Sequence, residues 1–127
     1  MMITSFLYNS TTFNPSMPVV PIQVRHQNRT AEVIALIDSG ADATILPINI
    51  LHLIRARRGD TGHMRGVTGV RKRVGIYTVT IQIDTHIMHT VHAVAADVVT
   101  EAILGRDILN HHVVILDGPA GVTEIRL

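Results

Sequence analysis

An aliphatic run that stops abruptly at a carboxylate sets the strongest constraint on this chain. Residues 33–37 read Val-Ile-Ala-Leu-Ile, and Asp38, Ser39, Gly40, Ala41 and Asp42 follow at once. Such a run reads as a strand, and it delivers Asp38 to the tip of a loop backed by core. Gly40 is expected at positive φ, a region that glycine alone enters without steric cost. Ser39 is placed to hydrogen-bond back to nearby backbone.

The rest of the chain also reads as β-structure. Hydrophobic residues make up 46% of the 127 positions, with no Trp and no Cys. One domain with a core of Val, Ile and Leu follows, a composition that suits strands. The lack of cysteine excludes disulfides and thiol-ligated metal chemistry. Residues 19–26 and 30–37 form an expected hairpin around a polar turn at 27–29. In residues 76–83, Tyr77, Val79, Ile81 and Ile83 alternate with Thr78, Thr80 and Gln82, the pattern of a half-buried strand. Further strands are expected over 44–46, 87–95, 102–104, 113–116 and 122–127. Pro47 can open a helical turn, and the apolar spacing continues it to Arg55. A short helix is expected over 106–111. Residues 55–62 are polar and read as a loop. Residues 1–17 read as an extended arm with little local structure, and residues 18–127 as the folded domain.

Residues 35–47 resemble the active-site loop of aspartic proteases, apolar-apolar-Asp-Thr/Ser-Gly-Ala. One copy in a short chain is similar to the retroviral type, the retropepsins. A second segment, Ala102-Ile103-Leu104-Gly105-Arg106-Asp107, resembles the apolar-apolar-Gly-Arg-Asp/Asn stretch that retropepsins carry before a short helix. The resemblance implies an all-β chain: a closed acid-protease β-barrel with one short helix, holding half of a site and assembling as a homodimer. It implies an aspartic endopeptidase with Asp38, Ser39 and Gly40 in the catalytic loop. Ala41, Asp42, Gly105 and Arg106 would support that loop, with Asp42 paired to Arg106. Ser39 would bond across the two-fold axis. A flap over about 65–73 would bring Gly66, Val67, Gly69 and Val70 to the substrate. The implied substrate is a polypeptide, with no cofactor and no metal.

The chemistry explains why two copies are needed. Two carboxylates in contact cannot both ionise easily, so the pair holds one proton at working pH. One carboxylate then activates water while the other protonates the scissile carbonyl oxygen. A competing motif, Asp60-Thr61-Gly62, follows Arg57-Arg58-Gly59 instead of an apolar strand and reads as a solvated turn.

Seven of the eleven basic residues fall between positions 55 and 73: Arg55, Arg57, Arg58, Arg65, Arg71, Lys72 and Arg73. They favour acidic substrate residues or form a solvated turn. Nucleic acid is not expected as a partner, because two Tyr and two Phe leave few surfaces for base stacking. A net charge of +1 singles out no partner. No apolar run approaches the roughly 20 residues of a membrane span, and no leader pattern opens the chain, so no membrane association and a cytoplasmic location are expected. Among the eight histidines, His86, His89 and His92 recur every third residue. On a strand that spacing sends His89 to the opposite face, which argues against a metal site. The alternative to an enzyme is a dimer of the same fold that binds peptides or assembles partners with little catalytic activity.

Overall fold

Strands with one aliphatic face need a second layer, and a sheet that closes on itself supplies it. The computed structural model describes residues 2–65, 69, 71–85, 87–97 and 101–126. In chain order these form β1 (Ile3–Leu7), β2 (Val19–His26), β3 (Arg29–Ile37), β4 (Ile45–Pro47), α1 (Ile48–Leu53), β5 (Arg58–Arg65) and β6 (Arg71–Ile83). Then come β7 (Ile87–Ala96), β8 (Ala102–Leu104), α2 (Arg106–Leu109), β9 (Val113–Asp117) and β10 (Val122–Arg126). The larger sheet runs β2-β3-β8-β4-β7-β6-β5, and β2 also pairs with β6. That last pairing closes a mostly-β barrel, with β5 attached outside the ring.

The 13-residue length of β6 allows this. One edge of β6 is shared: residues 80–83 pair with β2, and residues 71–77 pair with β5. The other edge pairs with β7 through residues 76–83. Inside the barrel the packing is aliphatic. Val20, Val24, Ala35, Leu46, Ile81 and Leu104 are fully buried, with Leu51 of α1 and Ile108 of α2 packed among them. Tyr77, Val79, Ile81 and Ile83 are all buried, as the alternation predicts. No helix among the described residues is long and apolar enough to cross a membrane.

Two segments differ from the sequence expectation. Residues 58–62, expected in a loop, lie in β5. Their side chains have little β preference, but the end of β6 beyond β2 offers unpaired backbone groups, and β5 satisfies them. The segment 1–17, expected as an arm with little local structure, contains β1. It pairs antiparallel with β10 in a second sheet of order β1-β10-β9. Half-buried Thr4 and Phe6 alternate with exposed Ile3, Ser5 and Leu7, so the apolar residues stand on both faces and hide the strand period. Thr4 Oγ1 also donates to Asp84 Oδ2 at 2.7 Å. Two short helices are present among the described residues, α1 and α2, both within segments that the sequence reads as helical, where the family resemblance implied one.

Candidate active site

Three short pairings place the loop after β3. β8 runs parallel to β3, with Ile37 opposite Leu104, and antiparallel to β4 at Ile103 and Ile45. β4 in turn runs parallel to β7. The loop 38–44 therefore leaves and re-enters the barrel on either side of β8. The Asp38 amide donates to Leu104 O at 3.1 Å, so the backbone at Asp38 continues the β3–β8 ladder. The Asp38 side chain turns outward and is exposed. Its Oδ1 accepts the Gly40 amide at 2.9 Å, and the Ala41 amide reaches Asp38 O at 3.2 Å.

Gly40 does not adopt the positive φ expected of it; among the described glycines only Gly69 and Gly121 do. Its constraint is proximity. A Cβ at Gly40 would stand 3.1 Å from Asp38 Oδ1, crowding the carboxylate that its amide holds. Ser39 is exposed, and its carbonyl accepts Arg106 Nη1 at 2.8 Å.

The second motif grips this loop from below. Arg106 divides its guanidinium between Ser39 O and the Asp42 carboxylate, bridging two points of the loop. The pair is open to solvent, with the Asp42 side chain 89% exposed, so it orders the loop more than it adds stability. The Arg106 amide donates to Ala41 O at 2.9 Å. At Gly105 a Cβ would lie 2.6 Å from both the carbonyl carbon and oxygen of Ala43, a contact that rigid backbone cannot relieve. Only glycine lets the two segments approach this closely.

A further pair went unrecognised in the sequence. Thr44 is fully buried, and its hydroxyl and amide donate to the two carboxylate oxygens of Asp107 at 2.8 and 3.0 Å. The same hydroxyl accepts the Gly105 amide at 3.3 Å. Asp107 thus satisfies the end of the loop and, through Oδ1, the Ile108 amide in α2. The available signal was a polar residue between apolar neighbours, together with an acid one position past the motif arginine.

Beside the loop lies a recess of about 280 Å³. Ala41, Ala43, Ile45 and Val94 make its apolar part, and His63 and Arg65 bring β5 to its edge. Of the expected flap residues, Gly66, Val67 and Val70 lie outside the described residues; Gly69 is exposed with φ of 79°. The competing aspartate, Asp60, is exposed on β5. It falls where the β5–β6 register slips between Arg58 and Thr61. It is not at a strand-to-loop junction, and it does not line the recess.

A histidine cluster stands apart from this site. His89 Nε2 lies 2.7 Å from His112 Nε2, and the His111 ring centroid is 5.8 Å from that of His89. Burial lowers the pKa of His89, positive charge on His112 and His111 lowers it further, and Asp107 opposes the shift. Burial also lowers that of His112, opposed by the nearby Arg126 backbone and reinforced by His111. His112 Nδ1 is buried without a hydrogen bond of ordinary geometry. His92 bonds Thr78 instead, at 2.9 Å, and His86 lies outside the described residues. Among the described residues no three His, Cys, Asp or Glu side chains are arranged to hold a metal.

The family model described as "gag-polyprotein putative aspartyl protease" matches residues 22–111. Among solved structures, the fold is similar to the EIAV protease complexed with the inhibitor HBY-793. That match has 24% identity and a TM-score of 0.60 over 84% of this chain and 93% of that one. It is also similar to a retropepsin-like aspartic protease from Rickettsia conorii, with 10% identity and a TM-score of 0.65 over 98% and 91% of the two chains. The retroviral protease-like domain of Ddi1 from Leishmania major matches at 22% identity and a TM-score of 0.52, over 80% and 81%. Comparison with curated proteins gives no match.

Proposed function

The chain belongs to the retropepsin-like superfamily of aspartic proteases, and on that premise we propose that it is a homodimeric endopeptidase with one Asp38 from each copy at the reacting centre. The observation that carries this reading is the setting of Asp38. Its amide is fixed to β8, its carboxylate is oriented by Gly40, and the loop is strapped to α2, yet the carboxyl group faces outward with no charged partner among the described residues. One chain thus prepares a rigid acidic group and leaves its other half to be supplied.

With a second copy across a two-fold axis, two carboxylates share one proton and one water. The ionised carboxylate takes a proton from the water as its oxygen attacks the scissile carbonyl carbon. The protonated carboxyl gives its proton to the carbonyl oxygen, forming a tetrahedral diol. Return of a proton to the amide nitrogen breaks the C–N bond and releases acid and amine. Ser39 hydroxyls bonding across the axis would steady the two loops. For the contact between copies, β9 has one partner strand among the described residues and exposes Val113 and Leu116.

Subunit mixing tests the reading directly. Wild-type chain is titrated with Asp38→Asn chain, and cleavage of a denatured protein is followed by mass spectrometry. Shared catalysis predicts that excess variant suppresses wild-type activity, because mixed dimers carry one carboxylate. A wild-type chain that is monomeric, or that cleaves nothing at mildly acidic pH, overturns the proposal.

A further inference from the structure

We propose that the recess beside the catalytic loop selects an acidic side chain of the substrate, with Arg65 and His63 as the residues that set the preference. The proposal rests on the protease reading and names the substrate class for it.

The recess joins two chemistries. Ala41, Ala43, Ile45 and Val94 offer an apolar bed, while His63 and Arg65 stand at its outer side. Its volume, about 280 Å³, suits one side chain more than a whole small ligand. Asp42 is the acid in its lining, and Arg106 already engages that carboxylate. The unmatched charge facing the recess is therefore positive. A side chain with a methylene stem and a carboxylate end, as in glutamate, matches both parts.

The β5–β6 hairpin gives an independent reason. His63 pairs directly with Arg73, and Arg65 with Arg71. Residues opposite one another on antiparallel strands share a face a few ångströms apart, and like charges there repel. Among the described residues the ion pairs are Arg106–Asp42 and Arg126–Glu124, so none of these three arginines has an acidic partner. A carboxylate arriving from the substrate relieves this repulsion and accepts charge-assisted hydrogen bonds from the planar guanidinium. A larger cleft of about 570 Å³, edged by Arg25, His26, Arg57 and Arg58, holds none of the catalytic-loop residues. It provides a control for charge in general.

Pools of octapeptides, random except for one position fixed in turn as Glu, Gln, Leu or Lys, test the proposal. Cleavage by the wild-type chain and binding to the Asp38→Asn chain are both measured. At one fixed position Glu should exceed Gln by about tenfold in both readouts, the scale of a charge-assisted contact. Arg65→Glu should move the preference to Lys, Arg65→Ala should remove it, and Arg57→Ala should leave it in place. Equal handling of Glu and Gln, or a preference that survives Arg65→Glu, overturns the inference. So does a preference that Arg57→Ala removes as fully as Arg65→Ala, since bulk charge then explains it. If the wild-type chain cleaves no pool while Glu pools still bind in an Arg65-dependent way, the recess assignment stands and the peptidase reading fails.

Discussion

The loop after β3 and the β5–β6 hairpin face the same recess but are built in opposite ways. The loop is short, and each end is tied down: Leu104, Arg106 and Asp107 fasten Asp38, Ser39, Ala41, Asp42 and Thr44. The hairpin is held by backbone pairing, and its arginines point out without acidic partners among the described residues. Chemistry that tolerates little displacement needs the first construction. On the proposed reading, discrimination among substrates needs only a side chain of the right charge on a sound strand, as in the second. Substitutions in the two regions should therefore fail differently, in catalysis or in stability for the loop, in preference alone for the hairpin.

The sharpest break is Asp38→Asn. It keeps the shape of the loop and removes an ionisable group, so cleavage should fall by about a thousandfold or more while urea unfolding stays close to wild type. A folded Asp38→Asn chain with substantial activity would end the comparison, because the loop would then be scaffold only. Gly105→Ala should be next. Its methyl group would overlap the Ala43 carbonyl and should cost about 1–3 kcal/mol in urea unfolding. Gly118, with open space around its missing Cβ, provides the matched control.

Thr44→Val keeps the shape but removes the hydroxyl that donates to Asp107 and accepts the Gly105 amide, for an expected loss of about 1–3 kcal/mol by the same measurement. Smaller again is a pH effect from the histidine cluster. Both rings have lowered pKa values when folded, so the unfolded chain binds their protons first. Their contribution to stability is complete above about pH 6.5, declines as pH falls below that value, and levels off once the folded rings are protonated too. Unfolding free energy measured between pH 7.5 and 5.5 should show this slope, and His89→Gln should flatten it. At the bottom of the order, Arg71→Ala should change stability by about 0.5 kcal/mol or less. A loss as large as that of Gly105→Ala would mean that the hairpin arginines are structural, and the contrast would collapse.

Both ends of the loop were legible in the sequence because short-range patterns mark them. The run into Asp38 is uninterrupted, and the small residues and the Arg106 motif stand at fixed distances from it. The alternation from Tyr77 to Ile83 gave the barrel wall for the same reason. What stayed hidden depends on partners far along the chain. β5 carries glycines and charges, and it is a strand only because β6 has an edge to fill. β1 is marked by Thr4 and Phe6 packing inward while Ile3 and Leu7 face out. The role of Gly40 was misread because its turn looked like a left-handed one, whereas the limiting contact is with Asp38 itself. Thr44 and Asp107 are separated by about half the sequence, and no local pattern joins them.

The pairing of β1 with β10 has a topological outcome. Ile3 stands opposite Arg126, so the two ends of the fold are neighbours across one ladder, about 5 Å apart at the backbone. A linker of a few residues could join them, and the chain could be reopened at the exposed turn of Gln27 and Asn28. Such a circular permutant would keep every ladder described above while moving the termini to the far end of the β2–β3 hairpin. Any segment that extends beyond β1 or β10, by contrast, must depart from the same side of the fold, whichever strand carries it.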